Sequence, residues 1–166
     1  MLMVPDGPVG TRRAIAPRGQ QVFGPTDATR GDKGANPFAP LCILIVEDES
    51  VLAMQLEDML QDLGHVVVGT VASHAAAVAA AETGRPDLVL MDINLGRGGN
   101  GIEAALELRR RFDLPSIFLS AYLSSPSIKE QAQTAGPLGL VPKPYTARHI
   151  EAALRKAAEH LKHGRN

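Results

Sequence analysis

Four polar features interrupt the apolar runs of this sequence, and their types suit one kind of chemistry. The triplet Glu47-Asp48-Glu49 follows "LCILIV", Asp92 follows "LVLM", Ser120 closes "SIFLS", and Lys143 follows "GLVP". Acidic groups brought together repel one another, and burying any of them without a partner is costly. A hard divalent cation resolves the conflict, because Mg²⁺ prefers oxygen ligands, accepts one or two carboxylates and keeps positions for water and phosphate oxygens. A lysine adds positive charge from a second side, and a serine adds a hydroxyl. Such a set would bind an anionic phosphoryl group. A carboxylate beside the metal could attack it as a nucleophile, with metal and lysine neutralising its oxygens in the transition state. That chemistry requires residues far apart in the chain to meet at one place.

The elements that could bring them together are legible from Leu41 onward. "LCILIV" has the length and branched composition of a strand. It is followed by a helical stretch, "SVLAMQLEDMLQDLG", with Leu52, Leu56, Met59, Leu60 and Leu63 on one face, Ser50 at the N-cap position and Gly64 at the stop. "HVVVGT" is a second strand, and "SHAAAVAAAETG" a second helix capped by Ser73 and stopped by Gly84. "PDLVLMD" is the third strand, its entry marked by Pro86. The loop "INLGRGGNG" leads into a third helix, "IEAALELRRRF", with Ile102, Ala105, Leu106 and Leu108 toward the core. "LPSIFLS", "PSIKEQAQTAG" and "PLGLV" follow as strand, helix and strand. After the turn "PKPY", the helix "TARHIEAALRKAAEHLKHG" carries Ile150, Leu154 and Leu161. Five strands alternating with five helices, the strands being continuous apolar runs, predict a parallel sheet covered on both faces. In such sheets polar ligands gather at the carboxyl ends of the strands, where all four polar features fall.

Composition narrows the function classes. With 166 residues the chain has room for one domain with a proper core. A formal net charge of −1 provides no footprint for nucleic acid or a lipid surface. No apolar run approaches a membrane span, and the start "MLMVPDGPVG" lacks the layout of a secretory signal. The single cysteine, Cys42, excludes a disulfide framework, reads as a small core residue and suits a reducing, cytoplasmic setting. Residues 1–40 hold six Gly and six Pro without sustained periodicity, which predicts a disordered extension. Its basic residues, Arg12, Arg13, Arg18, Arg30 and Lys33, could touch an acidic partner, but a solvated tail is the favoured reading. The expected divisions are 1–40 as extension, 41–162 as the folded domain and 163–166 as a tail.

From about Leu41 to Lys162 the chain resembles the receiver domain of two-component response regulators, of the single-domain CheY-like type. The motifs that carry the resemblance are "LIVEDE", "LVLMDINLG", "IFLSAY" and "VPKPY", in receiver order and spacing. The resemblance implies a flavodoxin-like (βα)5 fold with strand order 2-1-3-4-5. It matches Glu47 and Asp48 to the acidic pair that holds Mg²⁺, Asp92 to the phosphoacceptor and Asn94 to the residue whose main-chain carbonyl completes the metal site. It matches Ser120 to the hydroxyl that meets the phosphoryl group and Lys143 to the family's lysine, and it implies a cis bond before Pro144. The implied donor is a phosphohistidine on a sensor histidine kinase or a histidine phosphotransfer protein. The chain would then be a signalling protein that catalyses only its own phosphorylation and dephosphorylation, not an enzyme acting on others. In one respect the chain departs from the family: receivers commonly carry Tyr or Phe three residues before the lysine, and here that position is Leu140. Tyr122 stands two residues after Ser120 instead, and "FLSAY" with a later leucine looks like a branch of single-domain receivers with a modified switch. Because the sequence stops after its fifth helix, the expected output is a contact with another protein through the surface of the fourth helix, fifth strand and fifth helix, or onward transfer to another histidine.

Rival readings are weaker. A haloacid-dehalogenase-like phosphatase also uses a strand-end aspartate with Mg²⁺, but needs an acid where this chain has Asn94. A flavodoxin would cradle a phosphate in its first loop, whereas "VEDES" would repel one. A phosphorylation-inactive receiver used as a binding module is the nearer rival, because of Leu140. Among other candidates, Glu49 reads as solvent-facing or as a cap, and Asp58, Asp62 and Asp87 as surface acids. Arg109-Arg110-Arg111 suits the negative end of a helix dipole. His65, His74, His149, His160 and His163 lie on different elements and lack metal-site spacing.

Overall fold

In the computed structural model, which describes residues 39–164, β-strands and α-helices alternate. The order is β1 (Cys42–Val46), α1 (Ser50–Asp62), β2 (Val66–Val71), α2 (His74–Gly84), β3 (Leu88–Asp92), a 3-10 turn (Gly96–Gly98), α3 (Gly101–Phe112), β4 (Ser116–Ser120), α4 (Pro126–Thr134), β5 (Gly139–Pro142) and α5 (Ala147–Gly164). The strands are parallel, as their unbroken apolar runs predict, in the order β2-β1-β3-β4-β5, the flavodoxin-like arrangement that the receiver resemblance implies. The extension, with its five basic residues, lies outside the described residues except for Ala39 and Pro40, and so do Arg165 and Asn166.

The continuous apolar runs follow from burial on both faces. Along β1, Leu44 and Val46 join one core with Ala77, Ala81, Val89, Met91, Ile102, Ala105, Leu108 and Phe118. Ile43 and Ile45 join the other, with Leu56, Leu60, Leu90, Ile117, Val141, Ile150 and Leu154. Side chains alternate across a strand, so a sheet with helices on each face needs apolar residues at every position. Full burial of a Leu or Ile is worth roughly 1.5–3 kcal/mol, so these two layers are the main force holding the strands in register.

The edge strand departs from that pattern. β2 is exposed at alternate positions, Val66 at 50% and Val68 at 36%, and its pairing with β1 is irregular between Ile43 and Leu44. Three local expectations also need correction. Ser50 is the first residue of α1, and the cap position belongs to Glu49, whose side chain makes no capping bond. Gly84 is the last helical residue of α2, and the left-handed residue that ends it is Arg85, at φ 45°. Leu106 points away from the core and is 41% exposed. The small residues Ala104 and Ala105 take the contact instead and let α3 lie close to the sheet. Ser73 caps α2 as expected, its hydroxyl accepting from the Ala76 N–H at 3.3 Å.

Parallel pairing carries every strand's C-terminus to the same edge. Val46 pairs with Met91, Asp92 with Leu119, and Ser120 with Pro142. The polar residues that end or follow β1, β3, β4 and β5 therefore emerge nearly level with one another.

Candidate functional site

At that edge the chain folds its acids around one lysine. Glu47 continues the ladder past β1, its N–H donating to the Val71 carbonyl at 2.9 Å, and its side chain is buried. Asp92 closes β3 and is 5% exposed. Lys143 leaves β5 with its N–H donating to the Ser120 carbonyl at 2.9 Å, and its peptide bond to Pro144 is cis. From there its Nζ donates to Glu47 Oε2 at 2.7 Å and to Asp92 Oδ2 at 2.8 Å. Asp48 is exposed at the mouth, and one carboxylate oxygen each from Glu47, Asp48 and Asp92 lie within 4.8 Å of one another.

Main-chain groups fix the remaining oxygens. Asp92 Oδ1 accepts the Asn94 N–H at 3.1 Å, and Glu47 Oε1 accepts the Glu49 N–H at 3.3 Å. The Asn94 side chain turns back to its own loop, its Oδ1 accepting the Gly96 N–H at 3.1 Å. Gly96, at φ 53°, lets the loop pass against the site, since a Cβ there would stand 2.9 Å from Asp48 Oδ2. Gly101 is a closer fit: a Cβ on it would run into the Asp92 carbonyl oxygen, and its N–H donates to the Ile93 carbonyl at 2.9 Å. The start of α3 is thus set directly against the backbone of the strand-end aspartate.

The electrostatics are those of several anions sharing one cation. Burial pushes the Glu47 carboxyl above its ordinary value; the Lys143 hydrogen bond opposes this and the neighbouring Asp92 charge reinforces it. Burial would lower the Lys143 pKa, but its bonds to Asp92 and Glu47 outweigh that and hold the ammonium above its usual range. The cation is well served and the anions are not. Three carboxylates against one ammonium leave two negative charges uncompensated at this pocket. An all-oxygen donor set with that deficit fits a hard divalent cation. Glu47, Asp48 and Asp92 could hold one.

Of the residues singled out from sequence, Glu47, Asp48, Asp92 and Lys143 come together. Ser120 ends the strand beside Asp92 and is buried, but its Oγ accepts the Tyr122 N–H at 3.0 Å and is turned to its own loop. Tyr122 itself is 58% exposed. Leu140 is half-buried against the core between the sheet and α2, α3 and α4. Asp87 is more than a surface acid: its Oδ2 accepts the Cys42 N–H at 2.9 Å at the opposite edge of the sheet. The three arginines sit at the end of α3, where Arg111 pairs with Glu107 at 3.0 Å and Arg109 with Asp113 at 3.5 Å. His74 bonds Glu107 at 2.8 Å, and no histidine joins the acidic cluster among the described residues. Sequence reasoning missed the close approaches of Gly96 and Gly101, although "LGRGGNG" announced a crowded loop. It also passed over Tyr145, two residues after the lysine.

The description "response regulator receiver domain" matches residues 43–155. The chain is 37% identical over 116 residues to the phyllosphere-induced regulator PhyR of Methylorubrum extorquens, covering 69% of this chain and 42% of that one. It is 33% identical over 128 residues to the transcriptional regulatory protein PdtaR of Mycobacterium tuberculosis, covering 77% and 62%. The chain thus spans about half the length of these curated relatives. Among solved structures it is similar to the receiver domain of Erythrobacter litoralis PhyR, at a TM-score of 0.62 and 36% identity over 72% of this chain and 90% of that one. It is also similar to the signal receiver domain of a modulated diguanylate cyclase from Desulfovibrio desulfuricans, at a TM-score of 0.69 and 31% identity over 75% and 98%.

Proposed function

Because the chain belongs to the response regulator receiver family, we propose that Asp92 accepts a phosphoryl group from a phosphohistidine of a partner protein and that the modified chain signals through altered protein contacts. The observation that carries this reading is the hydrogen bonding of Lys143 to both Glu47 and Asp92 beside Asp48. In the transfer, an Asp92 carboxylate oxygen attacks phosphorus in line, an O–P bond forms, the N–P bond breaks, and the histidine nitrogen keeps the electron pair. The Asn94 N–H and the Lys143 ammonium hold the attacking carboxylate in place. Held by Glu47, Asp48, Asp92 and the Asn94 main-chain carbonyl, Mg²⁺ would supply positive charge for the phosphoryl oxygens. Lys143 can offer its ammonium to another of those oxygens, and Ser120 can turn its hydroxyl proton toward a third.

Receiver domains are signalling modules, and a means of output is within reach of Ser120. Its Oγ holds the Tyr122 main chain, so a hydroxyl that reorients toward a phosphoryl group would move an exposed aromatic with it. This supports an output surface at the β4–α4 loop, α4, β5 and α5, with Tyr122 in the role that Leu140 cannot take. The partners we infer are a sensor histidine kinase or histidine phosphotransfer protein and a separate output protein; nucleic acid and membrane are not among them. No helix among the described residues is long and apolar enough to cross a membrane. The free thiol of Cys42 suits a cytoplasmic setting. We take residues 41–162 as the receiver unit, 1–40 as a separate extension and 163–166 as a tail.

Incubation with Mg²⁺ and acetyl phosphate, followed by intact-mass measurement, tests the assignment. Wild type should gain one phosphoryl group and Asp92→Ala none. A wild-type chain that stays unmodified would establish the phosphorylation-inactive binding module instead.

A further inference from the structure

Tyr145 follows Lys143 by two residues, and its ring packs on the core between the sheet and α1 and α5. Its hydroxyl oxygen is buried and, alone among the buried side-chain polar atoms of the described residues, has no hydrogen-bond partner. Buried polar groups are overwhelmingly paired, and an unpaired one costs the folded state its hydration without return. Phenylalanine would fill the same space without that penalty. A hydroxyl kept under these terms is explained if another state of the protein uses it.

The surroundings indicate which state. The hydroxyl lies within electrostatic reach of the site: burial raises its pKa above the ordinary phenol value, Lys143 lowers it, and Glu47 and Asp92 raise it further. Glu47 is a buried carboxylate whose donors are an ammonium shared with Asp92 and a longer bond from the Glu49 N–H. When Lys143 reaches for a phosphoryl oxygen, Glu47 gives up part of its strongest partner. Even with one Glu47 oxygen on a metal, Oε2 is then an acceptor short of a donor, and an idle O–H lies within electrostatic reach of it.

We propose that Tyr145 is a positioning residue whose hydroxyl is idle in the resting chain and donates to the Glu47 carboxylate once Lys143 is drawn onto a phosphoryl group. This inference rests on the reading of Asp92 as phosphoacceptor. An unsatisfied donor in one state and a satisfied one in the other biases the equilibrium toward the second, by the difference between the two. Tyr145 would thereby favour the modified state without touching the reacting atoms.

The test compares full-length wild type with Tyr145→Phe, using beryllofluoride in the presence of Mg²⁺ as the phosphoryl mimic. In the resting chain the substitution removes the orphan, so the folded-to-unfolded ratio should rise by about tenfold, read as a higher unfolding midpoint. Beryllofluoride should bind the variant about tenfold more weakly, while Mg²⁺ alone binds both proteins equally. A resting midpoint that falls or stays the same would mean the hydroxyl is already satisfied, for instance by a buried water, and would overturn the proposal. Equal beryllofluoride affinity, or an equal loss with Mg²⁺ alone, would overturn it too. If wild type itself fails to respond to beryllofluoride, the phosphoacceptor reading has failed and takes this one with it. A wild-type response that Tyr145→Phe leaves unchanged sinks this inference alone.

Discussion

Lys143→Ala removes the one ammonium that Glu47 and Asp92 share, and leaves two buried carboxylates facing each other across the gap. Breaking a buried ion pair by deleting one partner costs about 3–5 kcal/mol, because the remaining charge stays desolvated. Asp48 opens the pocket to solvent, so the lower end, about 3 kcal/mol, is expected here, or a midpoint lower by on the order of 10 °C. The loss should depend on pH. Glu47 has a folded-state pKa raised above 4.5, so it takes up its proton more readily folded than unfolded. The stability linked to this group is therefore greatest below about 4.5 and declines as pH rises to the folded value. Deleting Lys143 removes the interactions that hold that value down, and the decline should extend to higher pH in the variant. Denaturant melts in chelator at pH 5 and pH 8 check this: the gap between variant and wild type should be wider at pH 8. Adding Mg²⁺ should then stabilise the variant more than wild type, because a dication replaces the lost charge. A gap that does not change with pH, or a variant with no Mg²⁺ stabilisation, would show that the carboxylates are not held together as described.

Two further expectations concern the glycines of the β3–α3 loop. Gly101→Ala drives a methyl group into the Asp92 carbonyl oxygen, so α3 must shift from the strand. We expect a loss of at least about 2–3 kcal/mol in chemical denaturation, accompanied by poorer acetyl phosphate labelling. Gly96→Ala meets both a positive φ and the Asp48 carboxylate at 2.9 Å. A modest destabilisation of about 1 kcal/mol is expected, with a larger, several-fold weakening of Mg²⁺ binding in a calorimetric titration. Equal Mg²⁺ affinity would mean that Asp48 does not need its present position.

Most of the fold was legible because the sheet is parallel and covered on both faces, a condition that writes itself as unbroken apolar runs. The reading weakened where that condition lapses. β2 lies at the edge and exposes Val66 and Val68, although its sequence looks like the interior strands. Helix ends agree to within two residues, but the residue doing the capping is not always the one with the best propensity. Arg85 adopts the left-handed conformation that glycine propensity assigns to Gly84, because Gly84 is still within the helix, packed near Val68. Helical spacing points Leu106 inward, yet the smaller Ala104 and Ala105 beside it are the buried residues. Asp87 was unreadable for another reason: its partner is the main chain of Cys42, and no side-chain pattern announces a backbone donor.

At the functional edge the same comparison turns on charge. Convergence of the acids and the lysine followed from topology, since parallel strands that alternate with helices must end together. How charge is divided could not be read that way. Glu47 and Asp92 each accept from Lys143 while Asp48 stays in solvent, and only coordinates give that distribution. Elsewhere local and tertiary preferences mostly agree, as they do in sequences that fold to one structure. Here they conflict: a buried glutamate, too few cations, a phenol without a partner and a glycine with no room for a methyl group. The first three would ease if positive charge and a phosphoryl group entered the pocket, since a dication would offset the acids' charge and a displaced lysine would leave Glu47 Oε2 as an acceptor for Tyr145. Strain that one ligand set relieves at three separate points is a stronger argument for that ligand than any single residue match.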